Sequence, residues 1–311
     1  MAKILITESV HPIGPELLTA AGHTVVYADR DMDVIRREIV DADAVLVRII
    51  ELPGSLLATA KNLKIVFKHG VGYDNIDLDY CKSHGVAVTI TPNANSLSVA
   101  EHAFTLMLTL AKNIIPVSNE YRTVGFAAKN HAPGIEMTGK TLGLIGMGRI
   151  GKHVLHMCKD GLDMHVIVYD PYISEVPEGV EKVDDLSELL CRADVVTLHC
   201  LLTDETRKLI DRERLALMKP TALLINCARG PIVDEAALIE ALENGRLAGA
   251  GLDVTDPEPV APDSPLFKLP NVIVTPHYAP TTVESATRVS KIAAENINAV
   301  LAGQEPVGRI V

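Results

Sequence analysis

The chain has 311 residues, 48% of them apolar and 22% charged, with 29 Lys and Arg against 40 Asp and Glu. At about 150 residues per domain this length suggests two folded domains, and the composition excludes a disordered or fibrous chain. A net charge of −11, spread without a basic block, argues against a nucleic-acid partner.

No apolar run reaches the roughly 18 residues of a membrane span, so no membrane partner is expected. The first residues, Met1 to Thr7, read as a strand rather than a secretion signal, so an unprocessed protein is expected. The five cysteines, Cys81, Cys158, Cys191, Cys200 and Cys227, are widely spaced and odd in number. They form neither a disulfide framework nor a CxxC pair, which fits a reducing cytoplasm.

Short β-branched runs alternate with amphipathic stretches from the N-terminus onward. Lys3–Thr7, Thr24–Tyr27, Ala44–Arg48, Lys64–Phe67 and Val86–Thr89 read as strands. A long apolar helix is predicted from Ser98 to Ile115, with Ser98 and Glu101 as a capping box and Pro116 just beyond its end. An irregular stretch containing Gly125, Pro133 and Gly134 follows. A second strand series then runs through Thr141–Ile145, His165–Tyr169, Val195–Leu198, Ala222–Asn226, Ala248–Asp253 and Val272–Thr275.

The last helix, Val283 to Leu301, has no strand after it and is expected to pack back on the first domain. The reading is therefore α/β, with two doubly wound parallel-sheet domains. A Rossmann domain, residues 99–283, is inserted in a discontinuous flavodoxin-like substrate domain made of residues 1–98 and 284–311. A cleft between the lobes is the expected ligand site.

Gly146-Met147-Gly148-Arg149-Ile150-Gly151 follows an apolar strand and opens a helix. Glycines at that spacing allow a tight turn, close approach to a pyrophosphate and close helix packing, while the helix N-terminus offers N–H groups to the anion. About 20 residues further on, at the end of the next strand, Asp170 is placed to accept from the ribose hydroxyls and to repel a 2′-phosphate, favouring NAD over NADP. Arg149 lies inside the loop and cannot receive that phosphate.

Three strand-end segments of the second domain carry polar groups that a core would not choose: Asn226 to Gly230, Asp253 to Pro259, and Thr275-Pro276-His277. They supply an Arg to hold a carboxylate and polarise a carbonyl, a His to carry a proton, and a Glu to orient that His. Each residue alone is more often a salt-bridge partner, a solvated acid or a structural histidine. His153 and His156 lack a third ligand nearby, and no metal site is predicted.

Together the glycine loop, Ala228-Arg229-Gly230 with Val233-Asp234-Glu235, Leu252-Asp253-Val254 with Glu258-Pro259, and Pro276-His277 resemble the signature of the D-specific 2-hydroxyacid dehydrogenases. The resemblance runs over essentially the whole chain and includes Gly70 to Asp77. It implies an NAD-dependent oxidoreductase interconverting a small 2-hydroxy acid and its 2-keto acid. Arg229 would bind substrate, Glu258 support the histidine, and His277 act as general acid and base. A carboxylate beside His277 favours its imidazolium form.

The resemblance further implies that backbone N–H groups around Val71 and Gly72 bind the substrate carboxylate, although an ordinary glycine turn explains them too. Val99, Ala228 and Asp253 would contact the nicotinamide half and His199 the adenosine side. A turn cap is the alternative for Asp253. A homodimer built through the segment from Ser98 onward is also implied, though the apolar stretch there equally suits a core helix.

Thr91 to Glu101 and Asn226 to Gly230 are most similar to the phosphoglycerate dehydrogenase branch, in which arginines hold a substrate phosphate. Arg48 and Lys68 fall in that region, with Lys68 where the branch commonly has Arg. Lysine binds phosphate as a point charge without a bidentate fork. Leu201 replaces a usual Pro, Ala279-Pro280 replaces a small pair after His277, and no regulatory domain is read beyond Val311. Glyoxylate, hydroxypyruvate and other small 2-keto acids therefore stay open as substrates, as does an NAD-sensing corepressor-like binding protein.

Overall fold

The computed structural model describes residues 1–130 and 132–311. The chain divides into two compact units, Met1–Asn95 with Pro280–Val311, and Ser96–Ala279.

In the first unit β1 (Lys3–Ile6), β2 (Thr24–Tyr27), β3 (Ala44–Val47), β4 (Ile65–Lys68) and β5 (Ala87–Thr89) form one sheet in the order β2-β1-β3-β4-β5. The pairings are parallel, and this is the order of flavodoxin-like folds. Residues of β3 and β4 are buried without alternation, as strands covered on both faces must be.

Period-two geometry still sorts the side chains by face. Ile4, Ile6, Leu46 and Phe67 pack with Val289, Ala293 and Ile297 of the helix Val283–Leu301, whereas Leu5, Val45, Val47 and Val66 pack with Ile35, Ile39, Leu57 and Cys81. The last helix belongs to the first unit. Thr282 caps it by accepting from the Ser285 N–H.

The second unit contains β6 (Thr141–Ile145), β7 (His165–Tyr169), β8 (Val180–Lys182), β9 (Val195–Leu198), β10 (Leu223–Asn226), β11 (Gly249–Leu252) and β12 (Val272–Val274). Their order, β12-β11-β10-β9-β6-β7-β8, is the Rossmann order with one further parallel strand. The chain reverses direction across the sheet between β6 and β9, which is where a doubly wound sheet opens a ligand crevice.

Two features differ from the sequence reading. The helix predicted from Ser98 to Ile115 begins at Ser96 and ends at Ala111, and Ser98 lies buried inside it. Asn113 then turns through a left-handed conformation at φ 50°, and a separate helix runs from Ile114 to Val124. Pro116 sits in the first turn of that helix, where its missing N–H costs nothing, and so it does not mark an end. The strand β8 is three residues of an edge, with Glu181 exposed, too short and polar to give a pattern.

Among the described residues no helix is long and apolar enough to cross a membrane.

Replacing Ile297, fully buried in the first unit, by Ala removes packing and leaves a cavity. The expected loss is about 2–5 kcal/mol of stability. Urea unfolding would show it as a lower midpoint at unchanged slope.

Candidate active site

The loop after β6 is built for close approach. Gly146 has φ +89°, and a Cβ there would lie 2.8 Å from the backbone of His199 and Cys200 at the end of β9. A Cβ on Gly151 would lie 2.3 Å from the Gly146 carbonyl oxygen, so only glycine lets the helix Arg149–Leu162 start so near the strand. Gly148 caps that helix, and a Cβ there would meet nothing within 4 Å. The cradle thus has an open outer side facing free helix N–H groups, which suits a pyrophosphate. Arg149 is exposed and Ile150 half-buried against the core.

Asp170, half-buried at the end of β7, accepts from the Met147 N–H at 2.9 Å and the Tyr172 N–H at 3.0 Å. It therefore ties the phosphate loop to the β7 end. The His199 N–H donates to the Ile145 carbonyl, and its Nε2 lies 2.8 Å from Thr197 Oγ1. Burial pushes this imidazole down to about 3, so it is neutral, and its buried Nδ1 has no partner among the described residues. An orphaned nitrogen beside the cradle fits a site completed by a ligand.

Arg229, Asp253 and His277 follow β10, β11 and β12, three neighbouring strands. Asn226 shapes the first loop: its Oδ1 accepts from the Ala228 N–H at 3.0 Å and its Nδ2 donates to the Arg229 carbonyl at 2.9 Å. An Arg229 guanidinium N–H donates to the Ala228 carbonyl.

His277 Nδ1 lies 2.7 Å from Glu258 Oε1, both side chains partly exposed. An ionised carboxylate can only accept, so Nδ1 carries the hydrogen and Nε2 is the nitrogen left for a substrate proton. His277 itself has φ +52°, a left-handed conformation uncommon outside glycine.

Asp253 holds that conformation. Only 1% exposed, it accepts from Thr275 Oγ1 at 2.5 Å, the Tyr278 N–H at 2.7 Å and the Ala279 N–H at 2.9 Å, while its carbonyl accepts from the His277 N–H. Both oxygens serve the chain itself, as the turn-cap alternative for this residue supposes. His102, on the helix Ser96–Ala111, extends the network with Nε2 3.0 Å from Thr275 Oγ1 and 3.5 Å from Asp253 Oδ1. Sequence reasoning assigned His102 no role; a lone imidazole on an apolar helix was the available signal. Val99 lies in the core of the second unit, 5% exposed. Burial beside Asp253 pushes the Cys227 thiol well up, so it is unreactive.

In the first unit Arg48 follows β3, Lys68 is the last residue of β4, and the Val71-Gly72 pair lies just beyond it. Lys68 is 7% exposed, and its ammonium donates to Asn75 Oδ1 at 2.6 Å and to the Arg48 carbonyl. It is thus tied within the chain. Val71 and Gly72 are half-buried, and among the described residues neither of their N–H groups donates to a carbonyl.

Residues 104–279 match the sequence model of the D-isomer specific 2-hydroxyacid dehydrogenase NAD-binding domain. The chain belongs to this family. Its cofactor is a nicotinamide dinucleotide.

A D-3-phosphoglycerate dehydrogenase of Methanocaldococcus jannaschii is 43% identical over 98% of the chain, which spans only 58% of that protein. A glyoxylate reductase of Thermofilum pendens is 37% identical over 98% of the chain and 93% of its own length. Among solved structures, the TT0316 protein of Thermus thermophilus superposes with a TM-score of 0.91 at 35% identity, covering 99% of this chain and 100% of its own. An NADPH-dependent glyoxylate/hydroxypyruvate reductase of Sinorhizobium meliloti, solved with NADP and malonate, gives 0.90 at 28% identity, covering 100% and 97%.

Gly151→Ala should push the helix Arg149–Leu162 off its strand and weaken NADH binding at least about tenfold. Fluorescence titration with NADH measures it, and an unchanged affinity would remove the loop from the cofactor site.

Proposed function

We propose that the chain interconverts a small D-2-hydroxy acid and its 2-keto acid, using NAD. The observation that carries this reading is the His277–Glu258 pair at 2.7 Å, in a unit whose β10 end carries Arg229 on the same sheet edge and which also holds the dinucleotide cradle. In reduction His277 Nε2 gives its proton to the substrate carbonyl oxygen, and in oxidation it takes the hydroxyl proton. Glu258 keeps the ring oriented and offsets its positive charge. Arg229 holds the carboxylate and polarises the C2 oxygen, with N–H groups of Val71 and Gly72 as further carboxylate donors. The nicotinamide, when bound, supplies or accepts the hydride.

The Asp170 carboxylate supports NAD over NADP, because a 2′-phosphate placed against it is repelled. Tyr172 Oη donates to Glu205 at 3.0 Å, which brings a second acid to the same end of the site. Ala228, Val99, Asp253 and His199 are read as further groups around the dinucleotide, Asp253 through its hold on the His277 segment.

A 3-phosphoglycerate-type substrate is the first reading, with Arg48 toward the phosphate and Lys68 beneath it. It rests on the several phosphoglycerate dehydrogenases among the relatives. Reduction of glyoxylate or hydroxypyruvate is the second, because the Thermofilum pendens glyoxylate reductase matches over nearly its full length. A corepressor-like NAD sensor is not favoured, since the named relatives are dehydrogenases and reductases.

A homodimer is proposed through the helix Ile114–Val124. None of its residues is buried, yet Ile114, Ile115, Tyr121 and Val124, with Phe126 after it, are large exposed apolar side chains. Ile114, Val117, Tyr121 and Phe126 line a groove of about 430 Å³. The unpaired thiols suit a cytoplasmic protein.

NADH oxidation at 340 nm against 3-phosphohydroxypyruvate, hydroxypyruvate, glyoxylate and pyruvate tests the reading. One compound should be reduced quickly, with NADH preferred to NADPH. His277→Ala should lower kcat by about 10²–10⁴ with NADH binding retained. Tight NADH binding without turnover of any compound would reject the enzymatic assignment. Phe126→Asp should convert a dimer to a monomer in light scattering, and an unchanged mass would move the interface elsewhere.

A further inference from the structure

The end of β1 carries a buried carboxylate that the proposed chemistry does not use. Glu8 is 2% exposed. Its Oε2 accepts from the Arg48 N–H at 2.6 Å and from Thr7 Oγ1 at 2.7 Å, and its Oε1 accepts from the Ile49 N–H at 2.7 Å and the Ile50 N–H at 3.2 Å. Three consecutive backbone N–H groups thus converge on one side chain, the arrangement by which loops bind anions, here filled from within the chain. A carboxylate is the residue type that suits the place, because all four neighbours donate and only an ionised acid accepts at both oxygens.

The carbonyl side of the same loop is held as completely. Lys68 donates to the Arg48 carbonyl, and Asn75 Nδ2 donates to the Ile50 carbonyl at 2.7 Å. Asn75 Oδ1 in turn accepts from Lys68 at 2.6 Å. The Arg48 side chain is also tied to the end of β1, since its guanidinium donates to the Ser9 carbonyl at 3.0 Å. Segments after β1, β3 and β4 therefore meet on Arg48, and the position of its guanidinium is set by side chains that stay buried beneath it.

We propose that Glu8 is a positioning residue for substrate: with Lys68 and Asn75 it fixes the Arg48–Ile50 loop so that Arg48 is presented to the anionic acid. The inference rests on the reading of Arg48 as a substrate ligand. It also gives the Lys at position 68 a reason. A compact ammonium with donors in several directions fits between a carbonyl and an amide oxygen, where a planar fork is aimed one way. Buried supporting groups of this kind set how well a ligand-binding side chain is held.

The test is a double-mutant cycle on the whole protein, measured by NADH-linked reduction of whichever of 3-phosphohydroxypyruvate, hydroxypyruvate and glyoxylate is turned over fastest. Glu8→Gln places an amide NH₂ against backbone N–H groups and should raise KM about tenfold, with kcat and NADH affinity within about twofold. In an Arg48→Gln background the same change should add less than about twofold, because its target is gone. Glu8→Asp, which keeps the charge with a shorter reach, should give an intermediate KM and serves where Glu8→Gln does not fold.

A lowered unfolding midpoint with unchanged KM would make Glu8 structural only and overturn the proposal. So would a full additional rise of KM in the Arg48→Gln background. If Arg48→Gln alone leaves KM unchanged, the substrate role of Arg48 fails first and this inference with it. The two failures are thereby told apart.

Discussion

The Asp253 carboxylate is the interaction on which the His277 segment depends. A histidine at φ +52° is held in an unfavourable conformation, and its neighbours' N–H groups point inward where no strand can accept them. Asp253 accepts from Tyr278, Ala279 and Thr275 at once, and its own carbonyl takes the His277 N–H. With the backbone so fixed, one hydrogen bond from His277 Nδ1 to Glu258 suffices to orient the ring. The acid beside the histidine sets its tautomer, while the acid beneath it sets its place.

The first unit solves the same problem in the same way. Parallel sheets gather every strand's carboxyl end on one edge, and the loops there leave the sheet with backbone donors unpaired. Glu8 accepts three of them, as Asp253 accepts two. Each acid is almost wholly buried, so its cost in desolvation is met by several hydrogen bonds rather than by one ion pair. Such groups make poor surface chemistry and good scaffolding. Side chains that touch a ligand can then be few, because buried neighbours hold them.

Much of this was legible in the sequence, for identifiable reasons. Strands buried on both faces are continuous β-branched runs, so Ala44–Val47 and Val195–Leu198 declared themselves. The glycine loop was legible because three backbone constraints fall within six residues. What failed lacked a local signal. The strand Val180–Lys182 is an exposed edge, and the helix Ile114–Val124 shows apolar residues on a face that nothing in its own unit covers, behind a proline that reads as a stop. Lys68 was legible as a cation at a strand end but not as one turned inward to Asn75 and the Arg48 carbonyl.

By itself the sequence determined the α/β architecture of two parallel sheets and the tight glycine loop after β6. These depend on short-range order: period, turn residues, and spacing within one strand and its loop. The tertiary structure alone decided which polar groups support others. Glu8 lies 40 positions from Arg48, and Asp253 lies 25 from Tyr278. Partners that far apart meet only because parallel strands bring their ends side by side, and that neighbourhood comes from strand order, which no local pattern encodes.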